Sequence, residues 1–323
     1  MLEDSFGRRV DYLRLSVTDR CDLRCSYCMP EGFRGYEESE NWLSFDEIER
    51  LLSVFARLGL KRIRLTGGEP LLRKNLPDLA RRLAALPGID DLSLSTNGTQ
   101  LAKFAAPLRQ AGITRLNVSL DSLERERFQS ICRRDALPQV IDGLEVARSA
   151  GFRSIKINMV ALAGTTDAEI DAMVAWCMER RFVLRLIETM PMGETGRSAG
   201  FLDLRPVRER LRQRFGLIDG VVPGGGPARY LVAPDGSFQI GFITPISQHF
   251  CETCNRVRLS VDGALHLCLG QDDRVEFRPL LRDGCSDDEL EQALLEGLRR
   301  KPARHEFGRQ TGAIVRFMSM TGG

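Results

Sequence analysis

Short apolar segments alternate with longer amphipathic segments over roughly the first two thirds of the chain. The apolar and β-branched runs predict six strands, and helical periodicity predicts a helix between successive strands. The predicted strands cover residues 12–17, 62–66, 91–95, 115–119, 154–160 and 183–188. Repeated βα units form a parallel sheet that either opens into a doubly wound sheet or curls into a barrel. Six units favour an α/β fold with an incomplete (βα)6 barrel of the TIM type.

Capping signals mark the ends of several predicted helices. Ser or Thr followed by Glu three residues later predicts an N-terminal capping box, and this pattern begins at Ser44, Thr166 and Ser286. Glycines suited to a left-handed helix C-terminus follow three helical stretches at Gly59, Gly112 and Gly151. These signals support the alternation of helices and strands.

The pattern changes after residue 204. A basic helix through Phe215 is followed by a Gly- and Pro-rich stretch at 220–227 and by hairpin-like runs around Tyr230 and Phe242. A length of 323 residues suits two domains of roughly 150 residues each. We therefore predict a partial barrel over residues 1–204 and a smaller α+β extension over residues 205–323.

Composition and charge exclude several classes of protein. Hydrophobic residues make up 43% and charged residues 28% of the chain, which excludes disordered and fibrous proteins. Forty-six basic against forty-four acidic residues give a net charge of +2, so no strong field indicates nucleic acid as a partner. No apolar run is long enough for a membrane span, and residues 1–11 lack the apolar core of a secretory signal. We expect a cytoplasmic protein.

Nine cysteines are the most informative part of the composition, because they fall into two triplets and three single residues. The triplets are Cys21, Cys25 and Cys28, directly after the first predicted strand, and Cys251, Cys254 and Cys268. In a chain that is not secreted, such groups of cysteines bind metals or take part in catalysis more often than they form disulfides. The single residues Cys132, Cys177 and Cys285 match no motif, and we expect them to be packing residues.

Spacing alone leaves the nature of the first triplet open. Three thiolates can hold three irons of a four-iron cluster and leave the fourth iron free for a small molecule. A structural zinc site would need a fourth ligand, and the three histidines, His249, His266 and His305, lie far along the chain. Zinc and an incidental group of buried thiols remain alternatives at this point.

The sequence around the first triplet resembles a known signature. Residues 20–29 read Arg-Cys-Asp-Leu-Arg-Cys-Ser-Tyr-Cys-Met, and Thr-Gly-Gly-Glu-Pro follows the second predicted strand at 66–70. Both resemble motifs of the radical S-adenosylmethionine (SAM) superfamily, which implies a 4Fe-4S cluster on the triplet and SAM as cofactor. The resemblance also implies SAM contacts at Tyr27, Gly68, Ser119 and Met190.

The second triplet has a zinc alternative, in which His266 supplies the fourth ligand. However, the strand at 13–17 with its cysteine loop, Gly68, residues 95–98 and 117–123, the second triplet and the final Gly-Gly together resemble the GTP 3′,8-cyclase family of molybdenum cofactor biosynthesis over nearly the whole chain. This resemblance implies a second 4Fe-4S cluster on Cys251, Cys254 and Cys268 and GTP as substrate. The implied GTP contacts are Arg14, Arg64, Ser95, Lys156, Arg256, Val257 and Arg258. Position 95 departs from the Thr expected in the family, but the hydroxyl is retained.

Arg14 and Lys156 have support beyond the resemblance, because each places a charge within an otherwise apolar predicted strand. A charge at such a position needs a partner, and a nearly neutral protein must collect cations locally to bind a triphosphate.

Partners and further catalytic residues also follow from the resemblance. It implies a low-potential electron donor, a downstream cyclic pyranopterin monophosphate synthase that receives the product, and a homodimer as one form of the enzyme. It assigns catalytic roles to Arg14, Gly322 and Gly323. Two other interpretations stay open: a radical SAM enzyme of another kind, such as a peptide-modifying maturase with auxiliary clusters, and a non-enzymatic module with two zinc sites.

Removal of Gly322 and Gly323 is expected to abolish cyclisation of GTP while both clusters remain, because the family resemblance places this tail in the active site. Mass analysis of the nucleotide products and iron content of the truncated chain would check this expectation. Wild-type turnover by the truncated chain would show that the tail is an ordinary frayed terminus.

Overall fold

One twelve-stranded sheet organises the part of the chain that the structure describes. The computed structural model describes residues 1–222, 225–307 and 316–321. The strands are β1 (Tyr12–Ser16), β2 (Arg62–Thr66), β3 (Asp91–Thr96), β4 (Arg115–Ser119), β5 (Ser154–Ala161), β6 (Val183–Glu188), β7 (Ile218–Gly220), β8 (Arg229–Val232), β9 (Gln239–Ile243), β10 (Arg256–Leu259), β11 (Ala264–His266) and β12 (Arg274–Glu276). All six predicted strands are confirmed, with ends that differ by at most one residue.

The strand order is β12-β11-β10-β1-β2-β3-β4-β5-β6-β9-β8-β7. The eight central strands from β10 to β9 are parallel to their neighbours, and an antiparallel pair extends the sheet at each side. Because β12 and β7 are the outer strands among the described residues, the barrel is partial, as predicted.

The region after residue 204 contributes to both sides of the barrel. β9 pairs in parallel with β6, and β10 pairs in parallel with β1. The predicted extension is therefore present, but its strands continue the existing sheet. The sequence pattern did not predict this arrangement. The division at residue 204 stays a prediction.

Helices connect the strands and cover the outer face of the sheet. They are α1 (Phe45–Arg57), α2 (Leu76–Ala84), α3 (Leu101–Gln110), α4 (Arg125–Cys132), α5 (Leu137–Ser149), α6 (Asp167–Arg180), α7 (Gly193–Ser198), α8 (Leu204–Arg214), α9 (Phe277–Arg282), α10 (Asp287–Arg299) and α11 (Met318–Thr321). Within the described ranges, no helix has the length and apolarity needed to cross a membrane.

The predicted capping signals are confirmed. At the start of α1, the Ser44 side chain accepts a hydrogen bond from the Glu47 N–H, and the Glu47 carboxylate accepts one from the Ser44 N–H at 2.6 Å. Thr166 and Ser286 begin α6 and α10 in the same way. Gly59 lies just past α1 with φ = 109°, a conformation that glycine adopts without strain.

Alternation along the strands separates two faces of the sheet. On β1, Leu13 and Leu15 are fully buried in the hydrophobic core, whereas Arg14 between them lines a cavity. On β5, Ile157 is in the core and Lys156 lines a cavity. Since successive side chains of a strand point to opposite faces, the outer face packs under the helices and the inner face presents polar groups.

The barrel and the C-terminal helices share one core. Phe55 of α1 is fully buried, and its ring meets that of Phe277 in α9 edge to face with 5.7 Å between the centroids. Replacing Phe55 by Ala leaves a cavity at this junction, so we expect a loss of about 3–5 kcal/mol in the free energy of unfolding. Chemical denaturation would measure the loss.

Phe201→Ala provides the matched control, because Phe201 is 47% exposed and its truncation should cost far less. Equal losses for the two variants would mean that the junction is not part of the core.

Candidate active site

The first cysteine triplet lies at one end of the inner face. Cys21, Cys25 and Cys28 line a cavity of about 1130 Å³, here called the first cavity. The loop that carries them is attached to the end of α4, since the N–H groups of Arg24 and Ser26 donate to the carbonyls of Cys132 and Ile131. Every residue that the resemblance assigned to SAM also lines this cavity: Tyr27, Gly68, Ser119 and Met190.

The glycine-rich turn after β2 holds the cysteine loop by close backbone contact. A Cβ atom at Gly67 would lie 2.2 Å from the carbonyl oxygen of Thr18, and one at Gly68 would lie 2.2 Å from that of Arg20. The Gly68 N–H donates to the Thr18 carbonyl at 2.8 Å. Because both obstacles are backbone atoms, only glycine fits at these two positions.

A buried carboxylate joins the same turn to the end of β3. Glu69 is fully buried and accepts hydrogen bonds from the Thr96 hydroxyl at 2.7 Å and from the Asn97 N–H at 2.6 Å. The Asn97 amide in turn donates to Asp22 of the cysteine loop at 2.7 Å. Burial raises the pKa of Glu69 to about 7, against the opposing effect of these hydrogen bonds. The network fixes the loop on the ends of β2 and β3.

Tyr27 is fixed through Asp121. Its hydroxyl donates to Asp121 at 2.8 Å, and the other carboxylate oxygen accepts from the Val160 N–H at 2.8 Å. Burial raises the pKa of Asp121 to about 6. The last part of the cysteine motif is therefore tied to β5.

The second triplet lies in another cavity on the same face. Cys251, Cys254 and Cys268 line a cavity of about 1080 Å³, here called the second cavity. Burial opposes ionisation of Cys254, but Lys301 and Arg256 outweigh it and lower the pKa of this thiol. Positive charge therefore favours the thiolate, which is the form that binds metals.

The hydrogen bonds of His266 argue against the zinc alternative for this triplet. Nη1 of Arg316 lies 2.7 Å from Nδ1 of His266. Since a guanidinium can only donate, Nδ1 is the acceptor and the proton of the neutral ring is on Nε2. Burial, followed by Arg316, lowers the pKa of His266 to about 3. To bind a metal, His266 would have to give up either the hydrogen bond at Nδ1 or the proton on Nε2.

Across the described ranges, no three His, Cys, Asp or Glu side chains form a group that could hold one metal ion. Each thiolate of a four-iron cluster binds a different iron, so such ligands need not converge on a single point.

The two cavities share a wall. Asn158, Ile187 and Met190 line both of them. The wall is formed by β5, β6 and the segment after β6, at the carboxyl ends of parallel strands where barrel enzymes place their sites. A molecule in one cavity therefore lies next to a molecule in the other.

Four arginines of β1, β2 and β10 gather around the second cavity. The strand register aligns Arg14 with Arg64 on β2 and with Arg258 on β10, and Arg256 is two positions away on β10. Within the described part of the chain, Arg14, Arg64 and Arg256 form no ion pair with a carboxylate. Burial, then Arg258 and Arg64, lowers the pKa of Arg14, and burial and Arg256 lower that of Arg258 to about 9.

Further cations surround a small cavity of about 350 Å³, here called the third cavity, that shares Tyr12, Arg64 and Arg185 with the second. Nζ of Lys156 lies 3.4 Å from the Tyr230 hydroxyl. Burial, then Arg185 and other arginines, lowers the pKa of Lys156 to about 7. The inner face thus carries positive charge that the described residues do not neutralise.

Three buried polar atoms of the cavity walls have no hydrogen-bond partner among the described residues. They are the hydroxyl oxygen of Tyr12 and Nε of Arg14 beside the cations, and the hydroxyl oxygen of Ser95 at the first cavity. Unpaired buried polar groups are costly, so the arrangement suits a polar, anionic ligand.

Two of the residues assigned to GTP have placements that the resemblance did not specify. Ser95 lines the first cavity. The side chain of Val257 belongs to the hydrophobic core on the outer side of β10, so its contact with a ligand would be through the main chain. Gly322 and Gly323 lie outside the described residues. The roles of all these residues stay predictions.

The three single cysteines pack as expected. Cys132 and Cys177 are buried in the core, and Cys285 packs against it. Cys132 also contacts the first triplet, with 3.7 Å between its sulfur and that of Cys25.

Sequence reasoning missed two residues of the inner face. Arg185 interrupts apolar β6, which is the signal that selected Arg14 and Lys156, so it could have been found. Its Nε donates to Asn158 at 2.9 Å, and a second nitrogen donates to Asn117. Asn158 had no comparable signal, because its place in the shared wall depends on how the strands align.

Comparisons with known proteins identify families for both parts of the chain. A model of the Radical SAM superfamily matches residues 15–177, and a model described as Molybdenum Cofactor Synthesis C matches residues 182–307. The structure of Streptococcus suis SuiB bound to S-adenosylmethionine is similar in fold, with a TM-score of 0.65, 15% identity, and coverage of 90% of this chain and 68% of that one.

Relatives of known name match the whole chain. GTP 3′,8-cyclase of Ectopseudomonas mendocina is 49% identical, with coverage of 100% of this chain and 98% of the relative. GTP 3′,8-cyclase of Paracoccus denitrificans is 45% identical, with coverage of 100% and 96%. The chain therefore belongs to the GTP 3′,8-cyclase family of the Radical SAM superfamily.

Proposed function

We propose that this chain is a GTP 3′,8-cyclase that converts GTP to 3′,8-cyclo-7,8-dihydro-GTP in molybdenum cofactor biosynthesis. The observation that supports this most directly is the shared wall: two cavities, each lined by one cysteine triplet, meet at Asn158, Ile187 and Met190. A radical formed on one molecule must reach a bond of another without meeting water, and adjoining cavities meet that need.

The first triplet fits a 4Fe-4S cluster and SAM. Three thiols line one cavity, and Gly67 and Gly68 bring backbone against the cysteine loop more closely than any other residue would allow. We assign Cys21, Cys25 and Cys28 as cluster ligands and Tyr27, Gly68, Ser119 and Met190 as contacts of SAM. Together the cluster and SAM supply, when bound, the carbon radical that takes hydrogen from C3′ of the GTP ribose.

The second triplet fits a second 4Fe-4S cluster. Cys251, Cys254 and Cys268 line one cavity, and Lys301 and Arg256 favour the thiolate of Cys254, while the hydrogen bond with Arg316 engages Nδ1 of His266. Three thiolates leave one iron open. We propose that this open iron lies against the guanine.

The inner-face cations fit the triphosphate. Arg14, Arg64, Lys156, Arg256 and Arg258 line the second or third cavity. Arginine forks bind phosphate oxygens bidentately, and the Nε of Arg14 has no hydrogen-bond partner among the described residues. We add Arg185 to this set, because it lines the same two cavities and its guanidinium is oriented by Asn158 and Asn117.

The same cations distinguish GTP from a peptide substrate. A peptide-modifying maturase has no need for buried and half-buried cations such as Arg14, Arg64 and Arg256, which form no ion pair with a carboxylate of the described residues. The fold shared with SuiB does not decide between the two activities. We therefore favour the nucleotide.

The remaining partners follow from the proposed reaction. The first cluster needs a low-potential electron donor, and the product passes to a cyclic pyranopterin monophosphate synthase. We also propose a cytoplasmic location, because the proposed clusters need reduced cysteines as ligands and thiols persist in reducing compartments.

Incubation of the anaerobic, reconstituted chain with dithionite, SAM and GTP should give 5′-deoxyadenosine and a cyclised nucleotide, detected by mass analysis. Cys21→Ala should abolish both products, because the first cluster would lose a ligand. Cys251→Ala should abolish the cyclised nucleotide while the first cluster remains. The control is Cys177→Ala, a fully buried cysteine of α6 that lines neither cavity.

The alternatives give different results in the same experiment. Formation of 5′-deoxyadenosine without a cyclised nucleotide would indicate a radical SAM enzyme with another substrate. Stoichiometric zinc without iron in the purified chain would reject the enzymatic proposal.

The lowered pKa of Lys156 predicts how GTP binding depends on pH. The triphosphate binds the protonated amine and raises its pKa, so above pH 7 binding must take up a proton. We expect the dissociation constant to rise by up to about tenfold per pH unit above pH 7. Calorimetry in buffers of different ionisation enthalpy would measure the constant and the proton uptake.

Lys156→Met should bind GTP more weakly and without this pH dependence, whereas Lys103→Met, on the exposed side of α3, should behave as wild type. An unchanged pH profile in Lys156→Met would assign the dependence to another group.

A further inference from the structure

A buried lysine lies among the peptide segments of the second triplet. Lys301 follows α10 and is 2% exposed. Its Nζ donates to the carbonyl of Leu267 at 2.5 Å and to that of Arg256 at 2.9 Å. Leu267 directly precedes Cys268, and Arg256 is two residues after Cys254. One ammonium therefore joins the two segments that carry these cysteines.

The charge of Lys301 has no carboxylate partner in the described ranges. Its two carbonyl acceptors are neutral, so they satisfy two of three N–H donors and leave a full positive charge beside the second cavity, which Lys301 lines. A buried charge without a counterion is rare. It points to a negative group that the cavity would hold.

Arg8 also contacts the backbone of the second triplet and can be compared with Lys301. It donates to the carbonyl of Cys251 at 2.8 Å and to that of Pro302 at 2.6 Å. Its charge, however, is neutralised by buried Asp4, 2.6 Å from its Nε. Arg8 and Lys301 both hold the triplet's backbone, but only Lys301 brings an uncompensated charge.

We propose that Lys301 is a positioning residue of the second iron–sulfur centre: it holds the segments of Cys254 and Cys268 together, and its charge favours the reduced cluster. This inference rests on the proposed second cluster. Reduction adds one negative charge to a cluster ligated by thiolates, and a fixed ammonium in a buried site stabilises the added charge. Charge and burial are among the factors that set cluster potentials.

Redox titration of the full-length, reconstituted chain, followed by electron paramagnetic resonance, would test the proposal. The signal of the second cluster is identified by its loss when Cys251, Cys254 and Cys268 are replaced by Ala. In Lys301→Gln, which keeps a donor and loses the charge, we expect the ratio of reduced to oxidised second cluster at the wild-type midpoint to fall at least tenfold. For one electron this is a shift of about 59 mV to more negative potential.

Matched variants separate charge from packing. Lys301→Arg keeps the charge, so its ratio should stay within about threefold of wild type, and Lys103→Gln on exposed α3 should change nothing. The first cluster should keep its potential in every variant. Loss of second-cluster iron in Lys301→Gln but not in Lys301→Arg would also support a role for the charge.

Other outcomes overturn the proposal. A second cluster with wild-type potential in Lys301→Gln would show that the charge does not affect the potential. If Lys301→Gln and Lys301→Arg shifted the potential equally, or lost iron equally, Lys301 would have only a packing role. The underlying cluster assignment is tested separately, since wild-type chain with about four irons in place of about eight would refute the second cluster itself.

Discussion

The opposite directions of neighbouring side chains on each strand are the constraint on which this molecule depends. Leu13 and Leu15 on β1 pack under the helices, which forces Arg14 into the interior of the barrel. The same rule places Lys156 on β5 and Arg185 on β6 inside. The free energy gained by burying the leucines therefore offsets the cost of holding unpaired cations in a confined space.

The positive charge of this interior needs an anion to balance it. Tyr12 illustrates the field: burial raises the pKa of its phenol, but Arg64, Arg14, Arg256 and Arg185 outweigh burial and lower it. Several arginines lower one another's pKa values for the same reason. In the proposed enzyme, a triphosphate and two clusters with thiolate ligands would supply the missing negative charge, so the charges of the cofactors and the substrate would balance those of the protein residues.

Local signals in the sequence predicted the parts of the structure that depend on neighbouring residues. The six strands, the capping boxes at Ser44, Thr166 and Ser286, and the cysteine loop after β1 all follow from patterns within a few residues. Arg185 carried the same signal as Arg14 and was overlooked. The motif at 66–70 indicated a contact with SAM at Gly68, but not that Gly67 and Gly68 pack against the backbone of Thr18 and Arg20.

Contacts between distant segments could not be predicted in this way. The tautomer of His266 depends on Arg316, fifty positions away, and Lys301 is recognisable only through carbonyls contributed by β10 and by the segment after β11. Likewise, no periodicity showed that β9 and β10 would pair with β6 and β1. Pairing partners are chosen by tertiary packing, which a single segment does not encode.

The placement of β9 and β10 has a consequence for how such an enzyme could arise. A fragment with only β1 to β6 would leave the backbone donors and acceptors of β1 and β6 bare, and bare edges invite association with other chains. Acquiring or losing the segment that bears the later cysteines therefore means rebuilding both borders of the sheet at once. The parts of the chain that carry the two cysteine triplets are therefore coupled by the hydrogen-bond ladders at both borders of the β1 to β6 sheet.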